Sequence, residues 1–142
     1  MKMLVANDGS VAALAALRYA IDLVSEMQSP SRSMTLINVH DDAGLRYARS
    51  YVGSEAIASY LKDLSRQELD PAIALLEATD VEHHVEIRTG HVAQQIVDFA
   101  HEGAFDLIVL GAKGRSAIAD LLIGSVAQRV LATAKTPVLL FK

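Results

Sequence analysis

The sequence predicts an α/β fold in which helices cover both faces of one open, mostly parallel sheet. The first observation is an alternation, along the whole chain, between short apolar runs and longer segments whose apolar residues have helical spacing. The second is the length of 142 residues, which fits one domain, 1–142. The third is the composition, 51% hydrophobic and 21% charged, which is typical of a chain with a buried core.

The predicted elements follow the order β-α-β-α-β-α-β-α-β. The strands are short apolar runs bounded by turn residues, and the helices carry apolar residues three and four positions apart. The predicted strands are Met3–Asn7, Met34–His40, Val81–Arg88, Phe105–Leu110 and Pro137–Phe141. The predicted helices are Val11–Met27, Ala56–Leu76, a short segment from Val92 to Ala100, and Ser125–Ala134.

Turn residues set the limits of the first elements. The first strand ends at Asp8-Gly9-Ser10, and either Ser10 or Asp8 suits the cap of the helix that follows. The loop Gln28–Ser33, with its proline, leads to the second strand. Residues 41–54 carry two glycines and several charges, and therefore predict a second loop.

Three later segments depend on single features. Asp70-Pro71 leaves two possibilities for the second helix, which is either two helices or one kinked helix. Strict alternation over Val81–Arg88 predicts a strand with one face in water. Phe105–Leu110 is almost continuously apolar, as expected of a strand buried on both faces. The loop Gly111–Ile123 follows it.

Charge and composition exclude several classes of function. Thirteen Lys and Arg residues stand against 17 Asp and Glu residues, and a net charge of −4 argues against non-specific nucleic-acid binding. There is no cysteine for a disulfide or for thiol chemistry. No stretch approaches the roughly 18 apolar residues of a bilayer span, and the first apolar run is too short for a signal peptide. We therefore expect a cytoplasmic protein that binds neither nucleic acid nor membrane.

A glycine-rich segment near the C-terminus is the strongest functional signal. Gly111-Ala112-Lys113-Gly114-Arg115-Ser116 follows a buried strand, and Gly124-Ser125-Val126 opens a helix, which gives the pattern G-x2-G-x9-G-S. Glycines allow close backbone approach, and amides at a helix start suit a phosphate. Lys113 and Arg115 supply positive charge. The alternative is a loop whose glycines serve only turns and a helix cap.

The position of this segment favours a ligand site. In open α/β sheets, ligands bind beyond the carboxyl ends of the strands, where the strand order reverses. That rule selects three groups of residues, which are Asp8-Gly9-Ser10, Val39-His40-Asp41 and Gly111 onward.

The chain resembles the universal stress proteins over nearly its whole length. The G-x2-G-x9-G-[ST] pattern separates the ATP-binding branch of that family from the branch that binds no nucleotide, and it is complete here. One departure is Asn7, where the family more often has an apolar residue or Thr. The segments that carry the resemblance are Leu4-Val5-Ala6-Asn7-Asp8-Gly9-Ser10, Leu36-Ile37-Asn38-Val39-His40, Asp106-Leu107-Ile108-Val109-Leu110-Gly111 and Thr136-Pro137-Val138-Leu139-Leu140.

The resemblance implies a role for each matched position. Asp8 would contact the adenosine part of ATP, and the backbone of Val39 would bond adenine. Leu110 and Gly111 would lie along the nucleotide. The implied phosphate contacts are Gly114, Gly124, Ser125 and Val126. The resemblance further implies Mg²⁺ between phosphate oxygens, the strand order 3-2-1-4-5, and a homodimer formed through the last strand.

Other chemistry-bearing residues have weaker patterns. His83-His84 is a poor metal pair, because adjacent side chains of a strand point to opposite faces. Asp41-Asp42 suits either Mg²⁺ or solvent. No catalytic triad or carboxylate pair is visible in the spacing. Three functions stay open, which are a non-enzymatic ATP-binding regulator of stress adaptation, a slow ATPase or nucleotide-dependent enzyme, and a nucleotide-free pairing module.

Overall fold

The computed structural model describes residues 1–114 and 123–142. Its strands are β1 (Lys2–Ala6), β2 (Ser33–His40), β3 (Glu82–Thr89), β4 (Leu107–Gly111) and β5 (Val138–Phe141). Within the described residues these strands form one parallel sheet in the order β3-β2-β1-β4-β5. The predicted fold class and the strand order implied by the resemblance are both confirmed.

Helices cover the two faces of this sheet. They are α1 (Val11–Glu26), α2 (Arg46–Val52), α3 (Ser54–Glu77), α4 (Val92–Glu102) and α5 (Ser125–Thr133). Side chains alternate along a strand, so Met3 and Val5 pack towards α1 and α3, while Leu4 packs towards α4 and α5. The sheet therefore separates two apolar cores.

The start of α1 fixes the turn that follows β1. The Ser10 hydroxyl accepts a hydrogen bond from the Ala13 backbone amide at 3.1 Å, so Ser10 is the cap of α1. The Asp8 carboxylate accepts from the Ser10 amide at 3.0 Å. Of the two predicted capping residues, Ser10 therefore holds the helix and Asp8 holds the turn before it.

Residues 41–54, predicted as a loop, contain a 3₁₀ turn at Ala43–Leu45 and the helix α2. The prediction was wrong because no residue of α2 is buried, so the segment has no apolar period to reveal a helix. An ion pair between Asp42 and Arg49 joins the turn to α2. Gly53, with a φ of +83°, ends α2 and precedes α3.

The second predicted helix is continuous. Pro71 lies inside α3, which runs without interruption from Ser54 to Glu77. The long packed face of α3 explains this, because residues before and after the proline are buried against the same core. Of the two possibilities left by Asp70-Pro71, the single helix is therefore the one that forms.

Two predicted limits of the buried strand β4 were wrong. Phe105 precedes β4, and its apolar character reflects a ring contact with Phe99 at 5.4 Å between centroids. The ammonium group of Lys2 lies 4.4 Å from the same ring centroid. At the other end Gly111, predicted to begin a loop, is the last residue of β4 and pairs with Phe141.

The edge position of β3 changes its exposure. Val85, which the alternation placed on the packed face, is 39% exposed. Both faces of this edge strand are therefore partly in water, rather than one face alone. None of the helices within residues 1–114 and 123–142 has the length and hydropathy needed to span a bilayer.

Candidate functional site

A cleft of about 310 Å³ opens at the carboxyl ends of β1, β2 and β4. It lies where the strand order reverses, because β2 flanks β1 on one side and β4 flanks it on the other. Its floor is apolar and continues the core between the sheet and helices α4 and α5. The apolar residues of the lining include Ala6, Ile37, Val39, Val92, Ile96, Leu110, Val126 and Ala127.

Eight of the nine residues predicted to bind nucleotide line this cleft. They come from three distant parts of the sequence, which are the turn after β1, the end of β2, and the segment from β4 to α5. The eight are Asp8, Val39, Leu110, Gly111, Gly114, Gly124, Ser125 and Val126. The ninth, Arg115, lies outside the described residues. The fold thus brings the candidates together, and their role towards a nucleotide stays a prediction.

The turn after β1 is fixed by its own side chains. The Asn7 carboxamide oxygen accepts a hydrogen bond from the Gly9 amide at 2.9 Å, and Gly9 has a φ of +81° that favours glycine. With the Ser10 amide also bonded to Asp8, the carboxylate of Asp8 is held at the cleft. Asn7, where the family more often has an apolar residue or Thr, therefore supplies a hydrogen bond that stabilises this turn.

Close backbone packing shapes the opposite wall. A Cβ added to Gly111 would lie 3.0 Å from the carbonyl carbon of Ala12, so glycine lets the first turn of α1 approach the end of β4. Ala112 then bonds in two directions, donating to Phe141 at 2.7 Å and accepting from the Gly124 amide at 2.6 Å. These bonds connect β4, β5 and the start of α5.

The first turn of α5 faces the cleft. Gly124 is its cap residue, Ser125 is its first residue, and both line the cleft with Val126. Among the described residues, no side chain caps this helix. Early amides of a helix lack partners inside the helix, and the helix dipole places partial positive charge there. The arrangement suits an anionic group.

Charged side chains at the cleft are few in the part of the chain that the structure describes. The ionisable residues among its described lining residues are Asp8, His40, Asp41 and Lys113. The Asp41 carboxylate accepts from the Ala43 amide at 2.8 Å and so begins the 3₁₀ turn. Asp41 is therefore occupied with local structure, which the sequence left undecided.

The two histidines of β3 contact residues close to them in the sequence. His83 contacts the carbonyl oxygen of Val81 at 3.0 Å through Nδ1, and His84 lies 3.6 Å from the Glu82 carboxylate. Within residues 1–114 and 123–142, no group of three His, Asp or Glu side chains could hold a metal ion.

A polar cluster beside the cleft was missed from the sequence. The Glu68 carboxylate of α3 accepts from Asn38 Nδ2 at 3.0 Å and contacts His40 Nε2 at 2.9 Å. Asn38 Nδ2 also donates to the backbone oxygen of Asn7 at 2.9 Å. We call Asn38, His40 and Glu68 the Glu68 cluster. A polar Asn38 inside an apolar strand was its one visible signal, because Glu68 lies 28 residues from His40.

A comparison with family models gives one decisive match. The model described as the universal stress protein family matches residues 1–142. The chain belongs to the universal stress protein family. Its resemblance to that family, first indicated by short segments, is thereby confirmed over the whole length.

Other universal stress proteins show how similar individual members are. The universal stress protein MJ0531 of Methanocaldococcus jannaschii is 33% identical over 141 residues, which cover 99% of this chain and 81% of the relative. The solved structure of hypothetical protein MJ0577 has a TM-score of 0.86 at 22% identity, covers 99% of this chain and 94% of its own, and shows the fold alone.

A third comparison includes a ligand. The crystal structure of a universal stress protein in complex with cAMP is 27% identical to this chain, with a TM-score of 0.63. It covers 100% of this chain and 96% of the chain solved.

Proposed function

We propose that this universal stress protein binds an adenine nucleotide, ATP with Mg²⁺, in the cleft and acts as a non-enzymatic regulator in stress adaptation. One observation carries the proposal: a single cleft contains an apolar floor, the fixed carboxylate of Asp8, and the start of α5, which no described side chain caps. A cleft of this kind suits a ligand that is flat and apolar at one end and anionic at the other. The relative crystallised with cAMP supports an adenine nucleotide as the ligand class.

The nucleoside end of the ligand lies on the apolar floor in this proposal. Val39 and Leu110 flank the base, and the Val39 backbone bonds adenine. Asp8, held by the Ser10 amide, accepts hydrogen bonds from ribose hydroxyls. The cleft volume of about 310 Å³ is at the lower end of the range for ligand pockets.

The phosphates lie at the start of α5 in this proposal. Backbone amides at Ser125 and Val126, the Ser125 hydroxyl and the Lys113 ammonium group supply donors and positive charge. Gly114 and Gly124 leave room for the phosphate chain. Mg²⁺ would be held mainly by phosphate oxygens and water, because Mg²⁺ commonly keeps several waters. Its chemistry would be to neutralise phosphate charge.

The oligomeric part of the proposal concerns β5. This strand is at the edge of the sheet, and its residues Val138–Phe141 are only half-buried. An apolar edge strand is a template for pairing, so we propose a homodimer formed through β5. Sedimentation across a hundredfold range of protein concentration tests it, and a monomer throughout would contradict it. A cytoplasmic location also stays part of the proposal.

The nucleotide proposal is tested by calorimetric titration of nucleotide-stripped protein with ATP and Mg²⁺. AMP, cAMP, adenosine and GTP serve as comparison ligands. Micromolar or tighter binding, selective for adenine, is the expected result, and phosphate release from the same samples measures any slow hydrolysis. The absence of binding to every adenine ligand would contradict the proposal and favour the nucleotide-free pairing module.

A further inference from the structure

The pairing of β1 with β2 ends where the cleft begins. The last residue pair of this ladder is Ala6 with Ile37, and the Asn7 amide donates to the Ile37 carbonyl oxygen at 2.9 Å. In a parallel ladder a residue bonds to the residues before and after its partner, so the next bond would run from the Val39 amide to the Asn7 carbonyl oxygen. The ladder stops before that bond, because β1 ends at Ala6.

The Asn38 side chain takes the Asn7 carbonyl oxygen instead. Asn38 Nδ2 donates to that oxygen at 2.9 Å and to Glu68 Oε2 at 3.0 Å. A carboxamide nitrogen carries two hydrogens, so both are used. The opposite orientation of the amide would place Oδ1 against two oxygen acceptors. The Asn7 carbonyl and the Glu68 carboxylate therefore fix which way the Asn38 amide points.

This arrangement leaves a polar atom without a partner in the core. Asn38 is 1% exposed, and its Oδ1 atom has no hydrogen-bond partner among the described residues. A buried acceptor without a donor lowers stability, and valine, of about the same size, would avoid that loss. The residue at position 38 therefore suits the turn after β1 better than it suits the core.

The consequence at the cleft concerns the Val39 backbone. In a strand the N–H and C=O of one residue point to the same side, and those of the next residue point to the other side. The Ile37 carbonyl oxygen faces β1, and the His40 carbonyl oxygen faces the end of β3, where it accepts from the Gly90 amide at 2.9 Å. Val39 therefore faces the side of β1 beyond the last pair of the ladder, and it lines the cleft.

We propose that Asn38, oriented by Glu68, is a positioning residue that keeps the Val39 amide open to the ligand by taking the Asn7 carbonyl oxygen. This inference rests on the proposed function, since the ligand is the same adenine nucleotide. The Val39 amide then donates to a ring nitrogen of adenine beside the amino group, which is N1 or N7. An apolar side chain at position 38 would let β1 and β2 pair one step further and would remove this donor.

Amide hydrogen exchange in ¹⁵N-labelled protein without ligand tests the first step. After correction for intrinsic rates, the Val39 amide should exchange at least about tenfold faster than the Ile37 amide, which lies inside the ladder. In Asn38→Val the Val39 amide should exchange at least about tenfold more slowly, because it gains the Asn7 oxygen. Thr35→Val, which removes another buried polar side chain from β2, is the matched control and should leave Val39 exchange unchanged. Equal exchange of Val39 and Ile37 in the wild type would overturn the inference, even if Asn38→Val did not fold.

Calorimetric titrations with adenosine, 1-deazaadenosine and 7-deazaadenosine test the contact with the base. Each analogue has a C–H group in place of one ring nitrogen, so the analogue that the wild type binds about tenfold more weakly than adenosine identifies the acceptor. In folded Asn38→Val, adenosine should bind about tenfold more weakly, whereas that analogue should change less than about twofold, because its contact is already lost. Thr35→Val should keep all three affinities within about twofold of the wild type.

The outcomes separate this inference from the proposed function. Urea unfolding gives the folded fraction of each variant under the titration conditions. Equal affinity of the wild type for adenosine and both analogues would overturn the inference alone, as would an equal loss of all three ligands in Asn38→Val. Adenosine affinity of folded Asn38→Val within about twofold of the wild type would do the same. A wild type that binds no adenine ligand would overturn the proposed function, and the exchange measurement, which needs no ligand, would still decide whether Asn38 keeps the Val39 amide open.

Discussion

A methyl group added to Gly114 would lie 2.8 Å from the Oδ2 atom of Asp8. The glycine of the loop after β4 and the carboxylate of the turn after β1 are therefore in direct opposition across the cleft. Gly114 is not among the glycines with positive φ, so space rather than backbone conformation requires glycine here. A substitution at Gly114 therefore displaces the Asp8 side chain already in the protein without ligand.

This contact predicts how Gly114→Ala behaves. The new methyl group displaces the end of the Asp8 side chain, so ATP affinity should fall about as far as it does in Asp8→Ala. In the Asp8→Ala background the same glycine substitution should cost less than about twofold, because its target is gone. Calorimetric titration of the four proteins of this cycle gives the answer. Additive losses would mean that Gly114 contacts the ligand independently of Asp8.

Gly124→Ala is a cleaner probe of the phosphate end. A Cβ at Gly124 meets nothing closer than the Ala112 carbonyl oxygen at 3.4 Å, so the free protein accommodates it. We expect a loss in stability below about 1 kcal/mol, typical of alanine at a helix cap. ATP affinity should fall at least about tenfold, while adenosine affinity changes less than about twofold.

The matched control for that probe is Gly44→Ala. A Cβ at Gly44 meets nothing within 4 Å, and Gly44 does not line the cleft. Its affinities for ATP and adenosine should equal those of the wild type. Equal loss of both ligands in Gly124→Ala would place the phosphates elsewhere.

Replacing Ser65 by alanine should stabilise the protein. Its hydroxyl is buried on α3 and has no hydrogen-bond partner among the described residues. Ser65→Ala removes an unpaired buried polar group, so the free energy of unfolding should rise by about 1 kcal/mol. Urea unfolding measures it. Thr79→Val is the contrast, because the Thr79 hydroxyl donates to Leu76 at 2.7 Å, and its loss should lower stability by about 1 kcal/mol. A loss in Ser65→Ala would reveal a partner for its hydroxyl.

Replacing Pro71 by alanine should also stabilise the protein. Its ring nitrogen has no hydrogen for the carbonyl of Gln67, one turn earlier in α3. Pro71 is exposed, so Pro71→Ala leaves no cavity and should raise the free energy of unfolding by about 1 kcal/mol or more. Lys62→Ala, exposed on the same helix, should stay within about 0.5 kcal/mol. Unchanged stability in Pro71→Ala would show that another group satisfies the Gln67 carbonyl.

The elements that pack against the core were predictable because burial leaves a period in the sequence. α1 and α3 have apolar residues at helical spacing, and β4 is continuously apolar, as expected of a strand inside the sheet. α2 has no buried residue and therefore no such period. Phe105 was misplaced because an apolar residue indicates burial without indicating the partner, which here is Phe99.

The parts of the candidate site formed by glycines and by residues at strand ends were predictable from the sequence. Asp8 and Gly114 were selected by the position of turns after strands, and the fold brings both to one cleft. The Glu68 cluster was not predictable, because its contacts join a helix to a strand across 28 residues, and a lone Glu on a helix usually faces water. Only the packed structure shows that Glu68 is covered.

The central place of β1 has a consequence for synthesis on the ribosome. β1 is synthesised before both of its neighbours, and it pairs with β2 on one side and with β4, residues 107–111, on the other. A growing chain that has completed β3 has three of the five described strands, with one edge of β1 open to any other extended peptide. Translation speed between residues 90 and 111 therefore sets how long that edge stays exposed to aggregation.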